Sequence, residues 1–183
     1  MQWNFYLSGI LYGKFYVKDN DIFVEKLDAA KGIWYPKETF TEESDDFFKK
    51  LCSRSLLDFF KNKKEYEEKI SEGADEFTAS SGETFSNRRN EVYFQRQKKF
   101  PKDLFYDEDG IYAVLMSGRD FAAVLVKNGE EDRTILSRWK KAFPEPPAAV
   151  NFLGTFFVDT RDGEKLATDV YLPKGEAYKE QKV

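Results

Sequence analysis

Apolar and polar residues alternate in the early part of the chain. Phe15 and Val17 lead to the turn formers Asp19, Asn20 and Asp21, and Ile22 and Val24 resume the pattern beyond them. A period of two broken by a turn predicts a β-hairpin, because successive side chains of a strand face opposite sides of its sheet. A shorter run at Ile33, Trp34 and Tyr35 stops at Pro36, whose missing N–H suits a strand end. At Thr41 the period changes. Thr41 is a predicted N-cap, and Glu42 and Glu43 lie where the positive end of a helix dipole favours acidic side chains. Phe47, Phe48, Leu51, Cys52, Leu56, Phe59 and Phe60 then form one wide apolar stripe. The pattern predicts a long amphipathic helix over about 41–72, running on or followed by a second helix after Asn62, supported by Glu65 and Lys69 as an i,i+4 pair and closed by Gly73.

From Gly73 to Asn90 the chain is rich in Ser, Gly, Asn and Thr, with Phe77 and Phe85 as its apolar anchors, and reads as an irregular connection. Strand patterns return at 91–97, 111–117 and 121–127, separated by turn residues that include Asp109-Gly110, and Asn128-Gly129 follows the last of them. An antiparallel meander is the expectation. Ile135, Leu136, Trp139 and Phe143 have helical spacing. Pro144, Pro146 and Pro147 exclude both a helix interior and a central strand, which sets the expected domain boundary: an accessory domain over 1–148 and a second domain opening at 149–183. The expected fold class is α+β, an antiparallel β-rich amino-terminal domain with a long helix, followed by a β-hairpin.

Composition narrows the chemistry. Aromatic residues make up 17% of the 183 positions, enough to build a core although 34% are charged. The formal charge of -4 has the wrong sign for a phosphate-backbone binder, so nucleic acid is not an expected partner. The short basic cluster of Arg96, Lys98, Lys99 and Lys102 reads as a solvated face. The chain contains no His, which excludes His-dependent catalysis by its own residues, and with the single Cys52 it offers no Cys/His zinc set. Cys52 lies on the apolar stripe and is expected as a buried packing thiol. A lone cysteine and a start broken by Ser8, Gly9 and Lys14 lead to the expectation of a cytoplasmic protein without a membrane span.

The carboxylate groups Asp45-Asp46, Glu67-Glu68, Asp107-Glu108-Asp109 and Glu130-Glu131-Asp132 are expected at the surface, where they keep ordinary acidity. Asp107, Asp109 and Gly110 lack the closing acidic ligand of a calcium loop, and neither Gly-rich phosphate motif occurs. No catalytic, cofactor-binding or metal-ligating residue is therefore assigned. Trp3, Tyr6, Tyr12, Tyr16, Trp34 and Tyr35 are read as packing groups, and as a partner surface wherever their rings prove exposed.

The segment Thr155–Pro173 adds a resemblance. It carries an aromatic and aliphatic strand ending at Val158, then Arg161-Asp162-Gly163, Leu166-Ala167, Asp169-Val170-Tyr171 and a closing Pro173. It resembles the opening of the catalytic domain in the CocE/NonD hydrolases, the family shared with X-prolyl dipeptidyl aminopeptidases of the S15 type. The resemblance implies that these strands lead into an α/β-hydrolase sheet bearing a serine nucleophile on a strand-to-helix elbow, with Asp and His later in the chain. The elbow G-x-S-x-x-G has no counterpart here, since Ser80-Ser81-Gly82 and Ser117-Gly118 lack its leading glycine. The chain is accordingly expected to be the non-catalytic amino-terminal portion of such a hydrolase, which in complete form would cleave acyl esters or X-Pro peptides. Its expected partners are the remainder of that hydrolase or its own copies. The alternative is a self-contained interaction or oligomerisation module.

Overall fold

The computed structural model describes residues 1–19, 21–89, 92–95, 101–119, 121–142 and 150–173. The chain divides into two compact units, Met1–Ala142 and Phe143–Val183.

The first unit opens with three antiparallel strands, β1 (Gln2–Leu7), β2 (Ile10–Lys18) and β3 (Asp21–Asp28), followed by the two-residue strands β4 (Ile33–Trp34) and β5 (Glu38–Thr39). Helices α1 (Glu42–Cys52) and α2 (Leu56–Ser71) come next. A second meander follows: β6 (Glu76–Thr78), β7 (Thr84–Arg89), β8 (Val92–Gln95), β9 (Lys102–Asp107), β10 (Gly110–Ser117) and β11 (Ala122–Lys127). A 3₁₀ turn at Glu131–Arg133 and helix α3 (Leu136–Ala142) close the unit. The strands form one antiparallel sheet in the order β4-β3-β2-β1-β11-β10-β9-β8-β7-β6, with β5 also paired to β3. The two helices thus carry the chain from one edge of the sheet to the other, and the meanders meet at its centre, where Phe5 lies opposite Leu125.

Both faces of the sheet are used. Trp3, Phe5, Phe15, Val24, Leu104, Val114, Met116 and Leu125 cluster with Phe48, Phe59 and Tyr66 from the helices. Tyr112, Ala113, Val124 and Val126 cluster instead with Leu136, with Trp139 of α3 packed against them. β10 and β11 contribute to both clusters, which explains their nearly unbroken apolar sequences. The helical layer is stitched on by edge-to-face ring contacts, including Phe5 with Phe48 at 5.2 Å and Trp3 with Phe59 at 5.7 Å between centroids. Gly13 permits this approach, since a Cβ at that position would stand 2.7 Å from the Phe48 ring.

The structure overturns the expected α+β architecture with one long helix. The unit is mainly antiparallel β, and the 41–72 segment is two helices. Ser53 turns left-handed (φ 54) and ends α1, and Ser55 caps α2 by accepting the Asp58 N–H at 2.9 Å. The break is held from inside. The fully buried Asp45 carboxylate reaches across to accept the Leu56 and Leu57 N–H groups at 2.9 and 3.2 Å and the Ser55 hydroxyl at 2.6 Å. One carboxylate thereby satisfies amides that a helix start leaves open, which offsets the loss of continuous helix.

The expected irregular connection after Gly73 is likewise corrected. It contains β6 and β7, with Phe77 opposite Phe85 and their rings stacked at 5.3 Å. Their polar neighbours face outward, so the strands carry little apolar signal. Glu65 makes its hydrogen bonds elsewhere, accepting the Ser80 N–H and hydroxyl at 2.7 and 2.6 Å, and Lys69 makes its direct ion pair with Glu72 while acting on Glu65 through its charge. The turn residues Asn20 and Asp120, the Arg96–Lys99 basic residues and the 144–147 prolines lie outside the described residues.

The second unit contains β12 (Val150–Asp159) and β13 (Lys165–Pro173), an antiparallel pair that forms its own two-stranded sheet. Its turn is set by Gly163, whose positive φ of 85 suits glycine, and by Thr160, whose N–H donates to the Glu164 carbonyl at 2.9 Å. Among the described residues no helix is long and apolar enough to cross a membrane.

Candidate functional site

The first unit carries a polar cleft of about 600 Å³, lined by the α1–α2 turn (Ser53, Arg54, Ser55), the start of α2 (Asp58, Asn62), the β6–β7 hairpin (Ser80, Ser81, Glu83) and Lys102 at the start of β9. Its floor is an ion pair. The Lys102 side chain is only 6% exposed, and its ammonium lies 2.8 Å from both carboxylate oxygens of Glu83. Three further groups donate to the same carboxylate: the Tyr66 hydroxyl at 2.5 Å, the Gln95 amide at 2.8 Å and the Ser81 hydroxyl at 3.3 Å. Gln95 in turn accepts the Lys102 backbone N–H at 3.1 Å, which locks β8 to β9.

The two charges respond differently to burial. Burial pushes Glu83 upward, but Lys102, Tyr66 and Gln95 together outweigh it and hold the carboxyl below its usual range. Burial also dominates at Lys102, where the single carboxylate partner does not outweigh it, and the ammonium titrates below the usual lysine range. Burial and the adjacent Glu83 push the Tyr66 phenol well upward, so it stays a donor.

Other residues singled out in the sequence take structural roles. Cys52 is buried, its thiol donates to the Phe48 carbonyl at 3.2 Å, and burial pushes its pKa up to about 11, which suits an inert packing group. Glu67 accepts the Ile111 N–H at 2.9 Å, tying α2 to β10. Asp107 pairs with Arg133 at 2.6 Å. Glu131 accepts the Asn4 amide at 2.8 Å and the Gly129 N–H at 2.8 Å, and desolvation together with this carboxylate pushes the Tyr6 phenol up to about 12. Trp3 is fully buried, whereas Trp34 and Tyr35 are exposed at the β4 end of the sheet, with the Lys14 ammonium 4.7 Å from the Trp34 ring centroid. Among the described residues no group of three or more His, Cys, Asp or Glu could hold a metal ion.

Two residues contradict the surface reading. Asp45 is a buried cap, and Lys102 is the floor of the cleft and not part of a solvated basic face. A signal for Lys102 existed: it precedes Leu104 by two, so the strand period places it on the same inward face.

The second unit presents a different surface. Val158 pairs with Leu166, and Phe156 and Leu172 share their face; Phe157, Phe152 and Tyr171 lie on the other. All seven are exposed, from 49% at Leu172 to 68% at Phe157. The chain matches no protein-family model, no curated protein and no solved structure.

Proposed function

We propose that the chain is the non-catalytic amino-terminal portion of a serine hydrolase of the CocE/NonD kind, in which β12 and β13 open the hydrolase sheet and the first unit is an accessory domain. The observation that carries this reading is the terminal hairpin, which pairs only with itself among the described residues and exposes apolar side chains on both faces. An isolated two-stranded ribbon is marginal in water, and apolar residues on both faces characterise strands covered on both sides. The segment that resembles the hydrolase opening is the same hairpin. A chain without His lacks the imidazole that a serine nucleophile of this kind needs, so the reading assigns the cleavage of esters or X-Pro peptides to the complete protein.

The test is turnover by purified 1–183 on p-nitrophenyl esters and X-Pro amides. The expected result is no hydrolysis above buffer. Activity abolished by a serine-directed phosphonate would overturn the non-catalytic assignment.

A further inference from the structure

In the first unit, exposed apolar side chains concentrate at the β4 end of the sheet. Among the described residues of that unit, the large apolar side chains left exposed are Met1, Ile10, Ile33, Trp34 and Tyr35. The last three are consecutive. They stand at 53%, 37% and 40% exposure, yet the backbone holds them in place: Trp34 lies opposite Leu27, and the Tyr35 N–H donates to the Lys26 carbonyl at 2.8 Å. β2 runs antiparallel to β3 with Gly13 opposite Lys26, so Ile10, where β2 starts, lies at the same end of the sheet as the turn after Asp28.

The carboxylates around this tip are taken. Asp28 pairs with Lys31 at 3.2 Å and accepts the Tyr35 hydroxyl at 2.9 Å, Glu38 pairs with Lys26, and Glu25 accepts the Tyr16 hydroxyl. Lys14 and Lys37 have no carboxylate partner among the described residues; their ammoniums lie 4.7 Å from the Trp34 ring centroid and 3.8 Å from that of Tyr16. A ring covers one side of an ammonium and leaves its other hydrogens open. The tip thus sets four lysines against three carboxylates, on a chain whose net charge is -4. Area decides between partners. Large side chains present roughly 150–250 Å² each when bare, so Ile10, Ile33, Trp34 and Tyr35 together offer roughly 300–450 Å². A stable protein interface needs about 800 Å² from each side, whereas Trp and Tyr beside lysines suit the headgroup layer of a membrane.

We propose that this end of the sheet is a peripheral docking surface for a membrane bearing anionic headgroups. Ile10, Ile33, Trp34 and Tyr35 enter the interfacial layer, and Lys14 and Lys37 face the headgroups. The surface is independent of the hydrolase reading, since it is built entirely within Met1–Ala142.

The experiment is co-sedimentation of 1–183 with vesicles of phosphatidylcholine, or of phosphatidylcholine and phosphatidylserine in a two-to-one ratio, with tryptophan emission recorded alongside. Binding is expected on the mixed vesicles, with a blue shift in emission, and is expected to be weaker on phosphatidylcholine alone. Trp34→Ser should weaken binding roughly tenfold and remove the blue shift. Lys14→Gln and Lys37→Gln should each weaken it roughly fivefold, on the mixed vesicles only. Trp34 and Lys37 are exposed, so their variants keep the fold. The exposed hairpin rings are the competing route to lipid, and Phe157→Ser should leave binding unchanged. Equal binding to both kinds of vesicle, or binding lost with Phe157→Ser and kept with Trp34→Ser, would overturn the proposal. Absence of binding to the mixed vesicles would also overturn it, and would leave the tip to a protein partner.

Discussion

Two hairpins in this protein share one turn chemistry and differ in everything around it. β9 and β10 are joined at Asp109-Gly110, and β12 and β13 at Asp162-Gly163, with both glycines at positive φ, 93 and 85. In the first hairpin Ile111, Tyr112 and Val114 are buried, because β11 and β8 pair on either side and helices cover both faces. In the second, Phe156, Phe157 and Leu166 remain open to solvent. Turn residues and strand propensity make a hairpin locally; neighbours decide whether its apolar side chains stabilise anything.

The edges differ in the same way. The eleven-stranded sheet tapers to a two-residue β4 and a three-residue β6, lengths that offer little template to another strand. The hairpin ends in strands of ten and nine residues. Long edges flanked by apolar faces characterise strands that a larger sheet covers, which is why the functional proposal rests on this unit.

The sharpest way to break the comparison is to truncate the same residue type in both regions. Phe48→Ala empties a fully buried site that touches Phe5, Phe15 and Phe40, and should cost about 3–5 kcal/mol in urea unfolding followed by tryptophan fluorescence. Phe157→Ala, in the hairpin, should stay within about 0.5 kcal/mol of the unaltered chain. Equal losses would mean that the hairpin is as well covered as the sheet.

A smaller effect is expected at the helix break. Asp45→Ala strands the Ser55 hydroxyl and the Leu56 and Leu57 N–H groups, and should cost about 2–3 kcal/mol by the same measurement. Asp169→Ala, which removes the corresponding Thr155 hydrogen bond of 2.6 Å on the exposed hairpin, should change stability by less than about 0.5 kcal/mol.

The smallest effect concerns acid. Lys102, Tyr66 and Gln95 hold the Glu83 carboxyl below its usual range, so its contribution to stability is complete above the ordinary glutamate pKa and is lost as pH falls through the lower folded-state value. Glu83→Gln should therefore flatten the stability profile below about pH 4.5 by no more than about 1.4 kcal/mol per pH unit, the limit for one proton. An unchanged profile would show that the buried pair does not distinguish the first unit in acid.

Much of this architecture is legible in the chain. The alternation around Phe15 and Val24 specifies the β2–β3 hairpin, which pairs Val17 with Ile22, and the stripe from Phe47 to Phe60 specifies a helical face that packs on a sheet. These patterns are local, repeating every two or three to four residues, and each element's own side chains carry them. Ser55 and Asp58 even announce a second helix start, although the continuous apolar stripe masks it.

What only the tertiary structure decided involves groups far apart in sequence. β1 joins β11, Asp45 crosses the turn to cap α2, and Glu83 on the β6–β7 hairpin neutralises Lys102 on β9. A polar residue's own sequence neighbourhood carries no record of whether a distant partner will bury and satisfy it, because that partner is brought near by the path of the whole chain. For the same reason Asp45 and Lys102 read as surface charges in the sequence and are interior ones in the fold.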